Sequence, residues 1–423
     1  MTARKMKDSG IEWIGEIPEE WKIAPLRSLF SFGKGLPITK ENLVESGVPV
    51  ISYGQIHAKN TTGVELQPHL FRYVSEQYLA DNPQSLVSEG DFIFADTSED
   101  YDGCGNAVYV DRQITLFAGY HTIILKHRTP NPNKYLAYLF RTDCWRSQIR
   151  SLVYGIKVFS ITQKILNSTF VLLPPLPEQR RIADYLDRKC AEIDRVAAET
   201  EKTIEEYKVL KQSIITEAVT KGVRGKRPMK DSGIEWIGEI PEEWSTTCIK
   251  FLCSMQSGKN ITSELISENA PYPVYGGNGL RGYHTKYNTE GEFLLVGRQG
   301  ALCGNVHRVS GKFWATEHAV ITSPTELADI DYLGYLLTAM NLNQYASNTA
   351  AQPGIAVGDI QNIRTCFGTL AEQREIADYL DAKCAEIDRL VAAKQNLLTE
   401  LATYKKSVIY EYVTGKKEVP ECR

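Results

Sequence analysis

The 423-residue sequence lacks a surplus of charge of either sign, with 48 Lys and Arg against 52 Asp and Glu. That balance excludes a histone-like basic coat, and taken alone it weighs against nucleic acid as a partner. The start of the sequence lacks the apolar core of a signal peptide, and the longest apolar runs, 170–176 and 332–340, are too short to span a bilayer. We therefore expect a soluble, cytoplasmic protein.

Signatures of catalysis and metal binding are also missing. The nine cysteines form no CxxC pair, which excludes zinc-ribbon and thioredoxin-like spacing and is typical of reduced thiols. The sequence contains no GxxxxGK[ST], HExxH or GxSxG motif and no (N/D/S)PP(Y/F/W) methyltransferase motif. Gly277–Gly282 fits GxGxxG, but no predicted helix follows it, so we interpret it as a surface loop. We predict no catalytic residue and no metal ligand, although His121 or His318, beside Asp96 or Glu317, keeps a catalytic alternative open.

An internal repeat organises the chain. Residues 6–21 recur unchanged as residues 229–244, and residues 178–195 match residues 372–389 at all but two positions. Two copies are too few for a solenoid. The pattern indicates a tandem duplication in which similar ends enclose two dissimilar stretches.

Each EQR motif opens a long helical pattern whose apolar positions alternate steps of four and three, as in a coiled coil. Each helix covers about 40 residues, or roughly 60 Å, before Gly222 or Gly415. We predict that the two helices pair antiparallel, which returns the end of the second helix to the region of residue 6; separate packing in a bundle is the alternative. The predicted seam residues are Leu186, Ile193, Ile204, Ile214, Leu380, Ile387, Leu398 and Val408.

The antiparallel pairing makes a prediction about charged seam residues. Lys211 and Lys405 occupy the same place in the two copies. Each should lie near an acidic residue at the start of the opposite helix, namely Asp381 for Lys211 and Asp187 for Lys405. These two pairs would fix the register of the helices.

We call residues 22–177 and 245–371 the first and second middle segments. Both alternate short β-branched and aromatic runs with Gly, Asn and Pro turns, which predicts several strands and one helix, near 133–151 and 331–346. The predicted fold class is α+β: two mixed α/β domains joined by two long antiparallel coiled-coil helices with pseudo-twofold symmetry. The predicted boundaries are 1–177 for the first domain, 178–222 for its helix, 223–371 for the second domain, and 372–423 for the second helix and tail.

The loops of both middle segments hold residue types that bind nucleic acid. Gly-rich turns let a backbone approach a phosphate closely, Asn and Gln bond adenine, and Arg bonds guanine. Each residue alone is a weak signal, because polar turns are common in loops. The candidates on these turns are Tyr53, Gln55 and Lys59, then Tyr275, Asn278, Arg281, Tyr283, Arg298, Gln299 and Gln352.

The repeated KDSGIEWIGEIPEEW, with LPPLPEQRRIADYLDRKCAEID and its second copy LAEQREIADYLDAKCAEID, closely resembles the specificity subunit of Type I restriction–modification enzymes. The resemblance implies a DNA-binding subunit whose two target-recognition domains each read half of a split double-stranded site. It implies long helices that space those domains and dock two modification (methyltransferase) subunits, together with restriction (motor-nuclease) subunits. It also implies recognition loops that include Lys34 and Lys157. S-adenosylmethionine, ATP and Mg are expected on the partners, and no cofactor on this chain.

Two other functions stay open at this point. The chain could itself methylate or cut DNA, or it could be a coiled-coil scaffold whose middle segments bind a ligand other than DNA. One departure from the family pattern concerns the second helix, where Gly368–Ala371 replaces the proline-rich lead-in of the first copy. The second helix could therefore enter at a different angle.

Overall fold

The computed structural model describes residues 4–59, 61–128, 134–155, 157–300, 302–347 and 354–420. It divides into two compact units: Met1–Ala198 with Leu398–Arg423, and Glu199–Leu397. We call these the first and second units. The division crosses both long helices, so each unit combines one middle segment with the start of one long helix and the end of the other.

The two long helices are continuous over Leu176–Lys221 and Leu370–Val413. Both begin in the same way despite their different lead-in sequences. Gln179 Nε2 donates to Pro174 O at 2.6 Å, and Gln373 Nε2 donates to Gly368 O at 3.0 Å. The prediction of two uninterrupted helices of about 40 residues is confirmed, and the loss of the prolines does not change where the second helix starts.

Each unit contains an antiparallel pair of helix segments. Lys405 Nζ lies 2.6 Å from Asp194 Oδ1 in the first unit, and Lys211 Nζ lies 2.7 Å from Asp388 Oδ2 in the second. Each lysine is near the end of one long helix and each aspartate is near the start of the other. The antiparallel prediction is therefore confirmed within each unit.

The predicted partners of these lysines, Asp187 and Asp381, were wrong by one heptad. Asp187 accepts hydrogen bonds from Tyr138 and Lys134, and Asp381 accepts one from Tyr335. Both carboxylates therefore face the middle segments instead of forming the seam ion pairs.

Most of the predicted seam residues are buried. The buried ones are Leu186, Ile193, Ile204, Leu380, Ile387 and Val408. Ile214 and Leu398 are half-buried, and Ile215 is buried beside the former.

The first middle segment folds around two four-stranded sheets and several short helices. One sheet is antiparallel, and its strands in spatial order are Ala107–Tyr109, Phe92–Ala95, Thr122–His127 and Phe30–Lys34. The other is mixed, in the order Arg72–Val74, Val48–Ile51, Leu116–Ala118 and Leu86–Val87. Its helices include Leu26–Leu29, Tyr53–Ile56, Tyr78–Asp81, Lys134–Phe140, Asp143–Arg150 and Gln163–Asn167. The single helix predicted near 133–151 is two helices, because the Thr142 side chain accepts from Trp145 N and starts a new one.

The second middle segment contains one six-stranded sheet. Its spatial order is Cys253–Ser257, Ala319–Pro324, Thr289–Gly297, Val306–Ala315, Tyr272–Gly276 and Gly279–His284. Its helices include Ile249–Leu252, Ile330–Ala339 and Val357–Asn362. Gly277–Gly282 joins and extends a β-hairpin, which confirms that it opens no helix.

Short two-stranded ribbons complete both units. The repeated N-terminal motifs form Met6–Asp8 with Glu16–Pro18, and Met229–Asp231 with Glu239–Pro241. Lys22–Pro25 pairs with Phe170–Leu173, and Ser245–Cys248 pairs with Arg364–Phe367. Thr97–Ser98 pairs with Phe159–Ser160 in the first unit. Each middle segment thus starts and finishes on one ribbon beside the start of a long helix.

A buried Trp–Glu–Arg cluster joins the two repeated motifs in the first unit. Glu178 accepts from Trp21 Nε1 at 3.1 Å and lies 2.8 Å from the Arg4 guanidinium. The guanidinium carbon also lies 5.6 Å from the Trp21 ring centroid. This contact ties the N-terminal motif to the EQR motif.

The second unit repeats the cluster. Glu372 accepts from Trp244 Nε1 at 2.9 Å and lies 2.5 Å from Arg227. Arg227 lies 5.4 Å from the Trp244 ring centroid. The two repeated motifs of each copy are therefore parts of one contact, which explains why they recur together.

The end of the second long helix reaches the N-terminal motif, as predicted. Lys416 Nζ donates to Glu16 O at 2.6 Å. Gly415 has φ 70°, and a β-carbon there would lie 2.5 Å from Pro18, so only glycine fits this turn. In the described part of the chain, no helix is both long and apolar enough to cross a membrane.

Candidate nucleic-acid interface

The first middle segment carries a cleft of about 610 Å³. It opens where the strand that ends at Lys34 meets the turn before the strand that begins at Thr122. Its polar lining includes Lys34, Asp96, Tyr120, His121, Gln163 and Lys164, over an apolar wall that includes Leu36, Ile38, Ile123 and Ile161. An apolar wall with a few convergent polar groups is typical of a ligand-binding site.

His121 is the centre of the polar part of this cleft. Its Nδ1 lies 3.3 Å from Asp96 Oδ1, and its ring centroid lies 5.4 Å from that of Tyr53 and 6.0 Å from that of Tyr120. Its φ of 55° is in the left-handed region, which is uncommon for a residue other than glycine. The fold therefore holds an imidazole, a carboxylate and two phenol rings together at the surface.

Only some of the DNA-binding candidates predicted in the first unit lie at the cleft. Lys34 lines the cleft and is exposed, and Tyr53 packs against His121. Gln55 Oε1 accepts from Ser52 N at 3.1 Å and so caps its own short helix. Lys59 and Lys157 are exposed on turns and do not line the cleft. The structure thus gathers Lys34 and Tyr53 around one site.

The second middle segment carries a cleft of about 410 Å³ at its hairpin turn. Three sequence candidates line it, namely Asn278, Arg281 and Gln299, together with His318. His318 Nε2 lies 3.1 Å from Glu317 Oε1, so here too an imidazole sits beside a carboxylate. Amide, guanidinium and imidazole groups converge on this cleft, and all are used to bind base edges or phosphates.

Glycine packing creates the second cleft. A β-carbon on Gly297 would lie 1.9 Å from Gly277 O, and one on Gly277 would lie 2.9 Å from His318 O. The hairpin turn therefore rests directly on the end of the strand Thr289–Gly297. This contact holds Asn278 where its Oδ1 accepts from Asn305 Nδ2 at 3.2 Å.

The other candidates of the second unit serve the fold at least in part. Arg298 Nη1 donates to Ser257 Oγ at 3.0 Å, and the Tyr275 ring packs against Phe313 at 5.7 Å. Tyr283 is half-buried and exchanges backbone hydrogen bonds with Ser267. Gln352 lies outside the described residues.

The sequence left two histidines, His121 and His318, open between a catalytic role and a structural or ligand-contacting one. His121 precedes Tyr135 by 14 residues, and His318 precedes Tyr332 by the same 14. Both histidines lie in the turn before a strand and line the cleft of their unit. The equal spacing is the sequence signal that marks the two histidines as equivalent residues. Within the described ranges, no three His, Cys, Asp or Glu side chains form a group that could hold a metal ion.

Comparison with known proteins adds a family assignment. The family model described as the Type I restriction modification DNA specificity domain matches residues 18–206 and 241–400. The chain is 44% identical over 160 residues to the Escherichia coli "Type I restriction enzyme EcoprrI specificity subunit", a match that covers 37% of this chain and 38% of that one. It is 26% identical over 427 residues to the Methanocaldococcus jannaschii "Putative type I restriction enzyme MjaX specificity subunit", which covers 96% of both chains.

One solved structure has a similar fold over nearly the whole chain. It comes from work on complex assembly and conformational transition of the type I R-M system. The TM-score is 0.71 at 18% sequence identity, and the match covers 95% of this chain and 99% of that one. The fold is therefore shared although most residues differ.

Proposed function

The chain belongs to the family of Type I restriction modification DNA specificity domains, and we propose that it reads a two-part DNA site and docks modification and restriction subunits onto it. The observation that carries this function is the pair of clefts. Each unit presents a cleft lined by a histidine at the same place in the fold, yet the remaining polar groups differ. Two different clefts on two equivalent frames are what an asymmetric, bipartite sequence requires.

We further propose that the two clefts supply the base contacts of the two half-sites. Arg281 carries the paired donors that match the two acceptors of guanine, and Asn278 and Gln299 each carry the donor and acceptor that match adenine. Lys34 and Lys164 give the first cleft two cations for phosphate contacts, which position a protein without selecting sequence. Lys59 and Lys157, which are exposed outside the cleft, are further candidates for such contacts.

The chemistry of the complex is proposed to lie on its partners. By family resemblance, this chain is non-catalytic, and S-adenosylmethionine, ATP and Mg bind the modification and restriction subunits. Two modification subunits are expected because the helical frame occurs twice. Incubation of the purified chain with radiolabelled S-adenosylmethionine and DNA should transfer no methyl group, and transfer would contradict this assignment.

The near-neutral charge supports a model in which this chain and its modification subunits bind DNA together. With 48 basic against 52 acidic residues, the lone chain has no net attraction for the phosphate backbone. We expect it to bind DNA weakly alone and tightly with its modification subunits, in a fluorescence-anisotropy titration at fixed salt. Tight, salt-insensitive binding by the lone chain would contradict this expectation.

The decisive test is a map of methylated bases in DNA from cells that carry the complete complex, with and without this chain. Exchanging residues 245–371 for those of a relative should change one half of the mapped motif and leave the other half unchanged. A change in both halves would contradict the assignment of one half-site to each unit. A reconstituted complex without any sequence preference would instead favour a scaffold that binds a different ligand.

A further inference from the structure

Each unit contains one helix that touches both long helices through a pair of tyrosines. We call Lys134–Phe140 the first tyrosine helix and Ile330–Ala339 the second. The sequences Tyr135-Leu-Ala-Tyr138 and Tyr332-Leu-Gly-Tyr335 place two rings three residues apart on one face of each helix. The two middle segments otherwise share little sequence, so the recurrence points to a common role.

The first tyrosine of each pair holds the end of one long helix. Tyr135 OH donates to Val413 O at 2.9 Å, and Tyr332 OH donates to Val219 O at 3.2 Å. Both tyrosines are fully buried. Each hydroxyl therefore satisfies a carbonyl in the last turn of a long helix, where no further turn can do so.

The second tyrosine of each pair holds the start of the other long helix. Tyr138 OH donates to Asp187 Oδ1 at 2.5 Å, and Tyr335 OH donates to Asp381 Oδ1 at 2.6 Å. Burial, reinforced by the aspartate, raises the pKa of both phenols, so the hydroxyls stay protonated and remain donors. Hydrogen bonds to an ionised acceptor are shorter and stronger than neutral ones.

Each tyrosine helix is thus fixed at two points, one on each long helix. Apolar packing between middle segment and helices is non-directional, whereas hydrogen bonds hold a direction. These directional contacts on different helices oppose rotation of a middle segment, and in the second unit they act together with the bonds of Gln373 to Leu327 and of Gln212 to Thr338. The first unit has an additional brace, because Lys134 Nζ lies 2.9 Å from Asp187.

We propose that Tyr138 and Tyr335 are positioning residues that set the angle of each middle segment on the long helices and so restrict the spacer length between the two half-sites. This inference rests on the proposed function. Adding one base pair to a spacer moves a half-site by about 3.4 Å and rotates it by about 35°. A middle segment held by all of these contacts resists that movement, and loss of one tyrosine contact lowers the resistance.

The test is a methylation map of the assembled complex with Tyr335→Phe, which removes the hydroxyl and keeps the ring. Methylation at spacers one base pair longer or shorter should rise about tenfold relative to the native spacer, since a bond to a charged group is lost. The base sequence recognised in each half-site should stay unchanged. Tyr138→Phe should have a smaller effect because Lys134 still holds Asp187. Tyr379→Phe, an exposed hydroxyl on the same stretch of long helix, is the matched control and should leave the spacer profile as it is.

A second pair of variants keeps the test valid if Tyr335→Phe does not fold. Asp381→Asn retains an acceptor oxygen for Tyr335 and should preserve the narrow profile, whereas Asp381→Ala should widen it. Equal spacer profiles for these two variants, or an unchanged profile in folded Tyr335→Phe, would overturn the proposal. A wild-type map without a two-part motif would overturn the proposed function itself, so the wild-type arm separates the two failures.

Discussion

The two units are alike where the chain meets the long helices and different where it forms the clefts. The Trp–Glu–Arg clusters, the seam ion pairs and the tyrosine contacts recur at equivalent residues. The sheets share a strand order but are divided differently: the first unit has two four-stranded sheets, and the second has one of six strands. The comparison teaches that the helix-facing contacts constrain the sequence strongly, while the clefts tolerate different lining residues on an equivalent strand order.

The two Trp–Glu–Arg clusters differ in burial. Substitutions in them should therefore give the largest difference in the free energy of unfolding between equivalent variants of the two units. Glu372 is 2% exposed and Glu178 is 12% exposed. Glu372→Ala leaves Arg227 and the Trp244 N–H underbonded in the interior and should lower the free energy of unfolding by about 3 kcal/mol. Glu178→Ala should cost about 2 kcal/mol. Urea denaturation of each variant measures the difference, with Glu372→Gln as control, and equal losses would show that the clusters are energetically equivalent.

Substitutions in the two clefts should have different effects on DNA binding. Arg281→Ala should cost about 1–3 kcal/mol of discrimination at one base pair of a single half-site. Lys34→Ala should weaken binding to all sequences alike and reduce the salt dependence by about one counterion. Competition binding with the assembled complex distinguishes the two, and Lys286→Ala, an exposed lysine outside both clefts, is the control. Sequence preference lost equally in both half-sites would contradict separate clefts.

Substitution of the two buried tyrosines should lower the free energy of unfolding by the same amount. Tyr135→Phe and Tyr332→Phe each remove one hydroxyl that bonds a helix-end carbonyl. Each should lower the free energy of unfolding by about 1 kcal/mol. Denaturation curves measured side by side check this equality, and a clearly larger loss for one variant would mean that the helix ends are held differently.

The seam ion pairs should contribute least. Lys211 and Lys405 are 30% and 25% exposed, and their aspartate partners are more than half exposed. Lys211→Met and Lys405→Met should each change the free energy of unfolding by less than about 1 kcal/mol, because water screens such pairs. The change should vanish in about 1 M salt. A loss that persists there would indicate a packing role for the lysine stems.

The long helices were predictable because one pattern repeats over about twelve turns with no Gly and with no Pro after Pro177. The register between the two helices was not predictable in this way. Asp187 and Asp194 are one heptad apart and sit at the same angle on the helix, so spacing alone cannot tell which carboxylate meets Lys405. Only the tyrosine helix, which occupies Asp187, decides between them.

The clefts were predictable only in part for a similar reason. The sequence pattern indicated Arg281, Asn278 and Gln299 as DNA-binding candidates on two separate glycine-rich turns, and the structure brings all three to one cleft. The pattern could not tell that Gln55 caps its own helix or that Arg298 bonds Ser257. Local pattern does not distinguish a polar side chain that the fold uses from one that is free for a ligand.

The division of the chain into units has a consequence for how it folds. The second unit is one continuous stretch, 199–397, whereas the first joins 1–198 to 398–423. Closing the first unit must therefore bring together segments about 200 residues apart, at a larger cost in loop entropy. During synthesis the second unit has all its residues before the first does, so it is expected to fold first, and the first unit is completed only when the end of the second long helix has been made.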